Sequence, residues 1–417
     1  MTRTHRCHPV ALIAIVAGLL TACTSGSSHP GPASSPTPRR AALTVAPPAA
    51  VKTIPNMAAV TDPTNIYAAT GAGMLAAAVK SAVPRVYVPD HRTNNVTIID
   101  PTTFKVITVM ASGLSPQHVV PAYDLTRLWV ANNADGTTRG SLTPIDPTTG
   151  TRGGPNVAVD DPYNLYFTPD GASAIVVAEA RQRLDLRDPR TMALRSSISA
   201  PTCAGINHMD FSADGSYLIA TCEDAHRLVK IDWVNHKVLA TLDLGPDAMP
   251  QDIRLGPNGA VFYVADMMGN RIVMVDGATF SVKGSIDLAP SGGLGAHGLY
   301  PSRDARFLYV GNRGSAARGN APPHSKGSVS VIDLATSTVV GNWPVPGGGS
   351  PDMGGVSADG TQLWLSGRYD DEVYVFDTVA GKLAHRIPLG PAGGEPHGLC
   401  VWPQPGRYSL GHTGNTR

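Results

Sequence analysis

The sequence predicts an all-β fold, a seven-bladed β-propeller of four-stranded antiparallel blades that is closed into a ring by the C-terminal strand. Three observations predict it: a repeat of about 44 residues, tight turns between apolar strands, and a C-terminal segment that copies the first strand of a repeat. The 417 residues include 44 glycines and 36 prolines, which indicates a chain rich in turns and argues against a long helical bundle.

An aspartate that ends an apolar strand and opens a turn marks each repeat. The seven markers are Asp100, Asp146, Asp188, Asp232, Asp276, Asp333 and Asp377. Their carboxylates are expected to accept backbone N–H bonds within the turns. The markers lie 42 to 46 residues apart, except for one interval of 57 that holds an insertion from Gly314 to Gly327. We interpret this insertion as a solvated loop and as a candidate contact for a partner.

Two more features complete each repeat. An apolar strand comes before each marker, as in LWVAN at 128–132 and LYVGN at 308–312. A turn comes before that strand in several repeats, as in SADG at 212–215, and Asp-Gly between apolar runs is a strong hairpin signal. Each repeat therefore contains four short strands, which is typical of a propeller blade.

The closure of the ring is also predicted. The first repeat begins near Arg85 without a first strand of its own, whereas EPHGLCV at 395–401 matches the first-strand segment AHGLY at 296–300. The C-terminus is therefore expected to complete the first blade and to cover two open sheet edges. The following segment, GRYSLGHTGN at 406–415, has the pattern of a further strand beside that blade.

The first 22 residues have the features of a secretory signal. Arg3 and Arg6 come before an apolar run at 10–20, which is shorter than the roughly 20 residues that a spanning helix needs. The run ends in Leu-Thr-Ala-Cys at 20–23, which resembles the lipobox of bacterial lipoproteins. That resemblance implies a lipid-modified Cys23 that holds the chain at the outer face of the cytoplasmic membrane. An ordinary cleaved signal is the alternative.

These patterns divide the chain into four parts. Residues 1–22 are a lipoprotein signal peptide, and residues 23–60 are a flexible tether rich in Pro, Ser and Ala. Residues 61–84 form a short N-terminal extension, for which the Ala-rich stretch at 65–81 suggests a short helix. Residues 85–417 form the propeller.

The strand and turn motifs of the repeats resemble those of the YVTN family of seven-bladed β-propellers. The motifs LYVGN, FYVAD and LWVAN carry the resemblance, each followed by an apolar strand that ends in Asp, with a Thr-containing turn after several of these strands. It covers about 85–415, and it implies the fold without implying a reaction. The third repeat departs from the pattern, since ARQRLDLR at 180–187 has charges where the other repeats are apolar.

The segments that begin the innermost strands place polar side chains near the propeller axis. These side chains are His118, Asn164, His208, Asp252, His297, Asp352 and His397. The first four lie two residues after the proline-equivalent position and the last three lie one residue after it, so the two sets are expected to point differently. Imidazole and carboxylate ligands suit a divalent metal such as Zn²⁺, Cu²⁺ or Fe²⁺. The alternative is that these groups only cap strand ends and bind backbone or trapped water.

Two known propellers offer comparisons for such a site. The N-terminal propeller of nitrous oxide reductase is similar in having axial histidines, which hold a copper cluster there, but its Cys- and His-rich copper domain has no counterpart in this sequence. Gluconolactonase-type propellers bind a divalent cation with axial acids and amides, and their ligand pattern is not evident here. We rank His208, His297 and His397 as the first candidate ligands, followed by Asp252 and Asp352, with His118 in the same set.

The five cysteines are too few for a disulfide scaffold. Cys203 and Cys222 flank one hairpin, and an extracytoplasmic location would permit a disulfide between them, with two independent thiols as the alternative. Cys400 lies in an apolar strand and is expected in the core.

The leading hypothesis is a membrane-anchored binding or scaffold module with a protein or small-molecule ligand at the propeller axis. The alternative is a metal-dependent enzyme, a lactone hydrolase or an oxidoreductase, that uses the axial His and Asp residues. Single-stranded nucleic-acid binding is a third option. Charge argues against it, because removing Arg3 and Arg6 from the 33 basic residues leaves 31 against 32 acidic ones.

Overall fold

The computed structural model describes residues 49–315 and 325–417. The ring is complete within them: seven antiparallel sheets, six with four strands and one with a short fifth strand, form the seven predicted blades. The predicted lipidation site at Cys23, the signal at 1–22 and most of the tether lie outside the described residues, as do residues 316–324 of the insertion.

Twenty-nine strands are described. Blades 1 to 4 contain β1 Arg85–Asp90, β2 Asn95–Asp100, β3 Lys105–Ala111; β4 Pro116–Pro121, β5 Leu128–Asn132, β6 Ser141–Asp146, β7 Thr151–Arg152, β8 Val157–Ala158; β9 Pro162–Phe167, β10 Ala174–Ala178, β11 Arg183–Arg187, β12 Leu194–Ser199; β13 Ile206–Phe211, β14 Leu218–Cys222, β15 Arg227–Asp232 and β16 Lys237–Asp243. Blades 5 to 7 and the closing strand contain β17 Pro250–Leu255, β18 Val261–Asp266, β19 Arg271–Asp276, β20 Ser281–Asp287; β21 Ala296–Pro301, β22 Phe307–Asn312, β23 Ser328–Asp333, β24 Thr338–Pro344; β25 Pro351–Val356, β26 Gln362–Gly367, β27 Glu372–Asp377, β28 Lys382–Pro388; and β29 Cys400–Trp402.

Helical structure in the described residues is limited to single 3-10 turns. They are Ala77–Val79, Ala134–Gly136, Glu223–Ala225, Ala289–Ser291 and Gly390–Ala392. No helix in this part of the chain is long and apolar enough to cross a membrane.

Each blade is ordered from the axis outward, and burial follows that order. The innermost strand β4 is buried along its whole length, whereas the outermost strand β3 is almost entirely exposed. The marker aspartates act as turn formers, as predicted: Asp100 Oδ1 accepts the Thr102 N–H at 2.8 Å, and the other six markers accept equivalent N–H groups.

The ring closes through the C-terminal strand, which confirms the prediction. Strand β29 pairs antiparallel with β1, with Val401 opposite Val86 and Cys400 opposite Tyr87. It forms the innermost strand of a blade whose other three strands come from the start of the propeller. Neighbouring blades then pack through apolar side chains, as where Trp364 of blade 7 meets Val86 of blade 1.

The residues before the propeller lie across the face on which the innermost strands end, which we call the base. Backbone N–H groups of Ile54 and Ile66 donate to Asp214 O at 3.0 Å and Pro257 O at 2.9 Å, in the turns that follow first strands. Residues 49–60, assigned to the tether from composition, thus make ordered contacts. The 65–81 stretch holds one 3-10 turn at Ala77–Val79 in place of the suggested helix.

The segment after β29 corrects one expectation. Residues 406–415 do not extend the first blade as a strand; they turn into the base of the central channel. There the Phe167 N–H of β9 donates to Leu410 O at 3.0 Å, and the His412 N–H donates to Leu165 O at 2.9 Å. We call residues 404–417 the tail.

The unusual charges of blade 3 neutralise one another. Buried Asp185 accepts from Arg183 at 2.8 Å and from Arg187 at 3.2 Å, and the Ser197 hydroxyl also donates to it. The strand β11 therefore pairs with both of its neighbours despite its composition, with a register shift between Leu186 and Arg187 on the β12 side.

Candidate metal centre

Five histidines meet at the axis of the propeller. His118, His208, His297 and His397 come from four of the segments singled out in the sequence, and His412 comes from the tail. All five side chains are buried. With Asp352 they form two groups of potential ligands, and within each group the ligand atoms lie within 4.8 Å of one another.

The two groups follow the offset seen in the sequence. His297, Asp352 and His397, one residue after the proline-equivalent position, form the group that we call the upper triad. His118 and His208, two residues after it, join His412 in the group that we call the lower triad. The innermost strands of both groups have irregular pairing near their starts, since the register shifts between Ile206 and Met209 and likewise between Ala296 and Leu299.

In the lower triad the three rings are oriented through their Nδ1 atoms. His118 Nδ1 lies 3.0 Å from Tyr163 O, and the side-chain amide of Asn164 lies between His208 Nδ1 at 3.3 Å and His412 Nδ1 at 3.0 Å. The three Nε2 atoms are buried and have no hydrogen-bond partner in the described chain. His118, whose Nδ1 faces a backbone carbonyl and whose Nε2 is unpartnered, has the usual arrangement of a metal-ligating histidine.

The Asn164 side chain therefore orients two of the three rings, a role that the sequence did not suggest. In the structure its Oδ1 accepts the Leu165 N–H at 2.8 Å and its NH₂ group faces both Nδ1 atoms, so the ring protons of His208 and His412 lie on Nε2. Rotation of the amide would turn its oxygen to both Nδ1 atoms and leave both Nε2 lone pairs available to a metal. Orientation of this amide thus decides whether His208 and His412 can act as ligands.

The upper triad is built around the carboxylate of Asp352. Its Oδ1 lies 2.9 Å from His297 Nδ1 and accepts from Arg313 Nε at 2.7 Å, whereas His397 Nε2 lies 3.4 Å from Oδ2. Asp352 Oδ2 and His397 Nδ1 are buried without a hydrogen bond to any described residue. A buried carboxylate oxygen and a buried imidazole nitrogen thus remain available for a ligand.

The electrostatics favour the protonation states that metals require. Burial lowers the pKa of all five histidines, that of His118 to about 4, and so keeps the rings neutral. Burial alone would raise the pKa of Asp352, but the Arg313 guanidinium and the neighbouring histidines outweigh it and hold that pKa well below its usual range. Neutral imidazole and ionised carboxylate are the forms that bind metal ions.

A polar cavity of about 240 Å³ opens above the upper triad, on the face where the innermost strands begin. We call it the funnel. His297 and His397 line it, together with Tyr163, Glu179, Glu223, Gln251, Arg313 and Arg368. Burial raises the pKa of both Glu179 and Glu223, and the charge of Glu223 adds to the increase at Glu179. The funnel thus brings carboxyl groups and two guanidinium groups to one end of the axis.

The tail closes the opposite end. Arg417 Nη2 donates to both carboxylate oxygens of Asp210, at 3.1 and 3.2 Å, and the Asn415 amide donates to Oδ1 at 3.0 Å. All three side chains are buried. This polar anchor lies within the tail that carries His412 and fixes it beneath the axial histidines.

The remaining predicted residues have other surroundings. Asp252 belongs to neither triad: its Oδ1 accepts the Ile253 N–H at 2.8 Å and its Oδ2 the Leu299 N–H at 2.9 Å, although Oδ1 also lies 3.4 Å from His412 Nε2. Cys203 and Cys222 form a disulfide with 4.8 Å between their Cα atoms. Cys400 is a buried free thiol in the core.

His412 is the ligand candidate that the sequence did not reveal. It lies outside the repeats, and its segment has the polar-apolar alternation of a strand. The only available signal was its position in a glycine-rich stretch after the closing strand, which does not specify where the stretch folds.

The fold and the axial site define a closed seven-bladed propeller with a candidate metal centre at its axis. Residues 56–405 match the YNCE-like beta-propeller family, and the chain belongs to that family. No curated protein matches the sequence.

Several solved structures share the fold. The periplasmic gluconolactonase of Pseudomonas aeruginosa is 20% identical with a TM-score of 0.59, over 76% of this chain and 98% of that one. Hydrazine synthase of Kuenenia stuttgartiensis is 17% identical with a TM-score of 0.53, over 67% of this chain and 88% of that one. A protein of unknown function from Desulfotomaculum acetoxidans is 15% identical with a TM-score of 0.55, over 76% and 98% of the two chains. At these identities the likeness concerns the fold alone.

Proposed function

We propose that this protein is a lipid-anchored, extracytoplasmic β-propeller that binds a transition-metal ion at its axis. The observation that carries the proposal is the lower triad, in which three buried imidazoles converge and each has an unpartnered Nε2. Burying polar nitrogen atoms without partners is costly, and a bound cation would remove that cost at all three at once.

The donor set indicates the class of metal. Three neutral imidazoles suit Zn²⁺, Cu²⁺ or Fe²⁺, and they do not suit Mg²⁺ or Ca²⁺, which prefer oxygen ligands. Three histidines with a further position left for water are also a known catalytic zinc arrangement. Among divalent ions, Cu²⁺ is expected to bind most tightly.

The proposed location rests on two independent features. The lipobox-like sequence ending at Cys23 supports a lipid anchor on the outer face of the cytoplasmic membrane. The Cys203–Cys222 disulfide supports an oxidising compartment, where such bonds persist. Metabolic labelling with a palmitate analogue tests the anchor, since the label should be lost in Cys23→Ser and retained in Cys7→Ser.

Metal analysis of the purified full-length protein tests the binding. After loading with Cu²⁺ or Zn²⁺ and removal of free ion, the protein should retain at least one tightly bound equivalent. A His118→Gln/His208→Gln variant should lose one equivalent. His236→Asn is the matched control, because His236 is an exposed turn residue with φ of 54°, a conformation that asparagine tolerates. A folded wild-type protein that retains no metal under any loading condition would contradict the proposal.

A second candidate function is a metal-dependent enzyme, either a lactone hydrolase or an oxidoreductase. The funnel favours it, because Glu179 and Glu223 have raised pKa values and stand beside the upper triad, where a protonated carboxyl could act as a general acid. Metal-dependent turnover of lactones or of a redox dye, lost in Glu223→Gln with metal retained, would support catalysis. If the metal-loaded protein turned over neither lactones nor the redox dye, the enzymatic function would be contradicted and metal binding would remain.

A further inference from the structure

We infer that the upper triad is a second metal position, so that the axis holds a binuclear centre with one closed site and one site open to small anions from the funnel. This inference rests on the proposed function, since it assumes that the lower triad binds a metal ion.

The Asp352 carboxylate has one oxygen free for a cation. Its carboxylate is fully buried, and Arg313 and His297 contact only Oδ1. Oδ2 has no hydrogen bond within the described residues and faces His397 at 3.4 Å. A buried carboxylate oxygen beside two neutral imidazoles provides negative charge and lone pairs to a cation, and the His₂-carboxylate donor set is one that catalytic zinc sites use.

The upper and lower triads lie close to each other. The ring centroids of His118 and His397 lie 4.7 Å apart, and those of His208 and His297 lie 6.3 Å apart. The triads are therefore adjacent along the axis and share a wall of imidazole rings. Ions held in both would be close enough to act on one bound molecule, as in two-metal sites.

The two triads differ in their access to the funnel. His297 and His397 of the upper triad line the funnel, whereas the lower triad is enclosed by Tyr163, Asn164 and the tail. Structural metal sites are usually closed by protein ligands, and reactive ones keep a position open. The upper ion would thus be the one that meets an external ligand.

The chemistry of the funnel indicates the ligand. Arg313 and Arg368 supply positive charge at its wall, and Arg313 also contacts Asp352. A small anion that coordinates the upper ion would lie beside these guanidinium groups, which match planar oxyanions such as carboxylates. We therefore expect carboxylates and their simple analogues to bind there.

Metal stoichiometry separates the two sites. The full-length protein loaded with Co²⁺ should retain two equivalents, and Asp352→Asn and His397→Gln should each retain one. His208→Gln should also retain one, the upper ion. Circular dichroism and thermal melting of each metal-free variant verify folding, and the two upper-triad variants provide independent tests should one of them fail to fold.

Azide, a small anionic probe, tests access. It should alter the visible Co²⁺ spectrum of the wild type and of His208→Gln, and it should leave the spectrum of Asp352→Asn unchanged. One equivalent in the wild type that is undiminished in Asp352→Asn and His397→Gln would overturn the second site while leaving the proposed function intact. An equal azide response in Asp352→Asn would overturn the assignment of open and closed sites, and a metal-free wild type would remove the proposed function itself.

Discussion

Asn164 shows how one side chain can control a site without being a ligand. Its amide contacts the Nδ1 atoms of His208 and His412, so its hydrogen-bonding character sets the protonation of both rings. Partners of this kind commonly change metal affinity by about 10- to 100-fold when they are mutated.

The first prediction concerns this residue. Asn164→Asp should keep or increase the affinity of the lower site, because a carboxylate can only accept hydrogen bonds and so holds the protons on Nδ1. Asn164→Leu should weaken binding by about 10- to 100-fold, because it removes the partner of both rings. Competition with a chromogenic chelator measures both affinities, and equal affinities in the two variants would contradict the assigned role.

Asp90 offers a second test at the residue scale. It ends the second strand of blade 1, the position that Asn132 and Asn312 occupy in blades 2 and 6. Its Oδ2 accepts the Thr97 hydroxyl at 2.7 Å, and burial raises its pKa to about 7. Ionisation of the Asp90 carboxylate therefore destabilises the fold. Two other blades have a neutral asparagine side chain at the equivalent position.

The sign of the pH dependence follows from that pKa. The folded-state pKa lies above the unfolded value, so the contribution to stability is present at low pH and is lost as the pH rises towards 7. Asp90→Asn removes this loss. Its free energy of unfolding, measured with urea, should increase relative to the wild type by about 3 kcal/mol between about pH 4.5 and pH 8. A pH-independent difference between the two proteins would show that Asp90 ionises normally.

At the scale of elements, the tail links the ion pair between Arg417 and Asp210 to the site. Arg417 and Asn415 hold the tail to Asp210 of β13, and His412 lies between that anchor and the axis. Breaking one partner of a buried ion pair commonly costs about 3–5 kcal/mol, because the other charge is left uncompensated.

The third prediction follows from this anchor. Arg417→Gln should weaken metal binding at the lower triad and expose the tail to proteolysis, although no ligand is changed. Arg407→Gln is the matched control, because Arg407 lies in the same tail and is exposed. Limited proteolysis with mass spectrometry, together with metal titration, measures both effects. Unchanged binding in Arg417→Gln would mean that His412 does not depend on the anchor.

Sequence reasoning succeeded where structure is local and repeated. The marker aspartates and the Asp-Gly turns are short-range signals that recur in each repeat, and the match of 395–401 to 296–300 revealed the closing strand. The offset between the two sets of axial residues also indicated that they would separate. The tail could not be placed in this way, because its position depends on unrepeated contacts such as Arg417 with Asp210, which join residues 207 positions apart.

At the scale of the whole molecule, stability depends on ring closure. Strand β29 covers the edge of β1, and its Val401 and Trp402 are buried between blades together with the preceding Leu399. Burying such side chains contributes about 1.5–3 kcal/mol each, so the closing strand is worth several kcal/mol in addition to its hydrogen bonds.

The fourth prediction compares two truncations. Deleting residues 396–417 should lower the unfolding temperature strongly and promote aggregation, because β1 and its neighbour lose their covering strand. Deleting residues 406–417 keeps β29 and removes His412, and it should lower the unfolding temperature less. Thermal unfolding and size-exclusion chromatography distinguish the two. Equal losses would show that the tail, and not the closing strand, maintains the ring.

The tail closes the base of the channel, and the funnel opens at the opposite end. Ions would therefore enter and leave from the funnel side. In the proposed binuclear centre, an ion that binds at the lower triad would pass through the upper triad and would leave by the same route. Filling is therefore expected to be ordered, with the inner ion trapped behind the outer one and released last. A protein built in this way would exchange its outer ion readily with its surroundings while retaining the inner one through many such cycles.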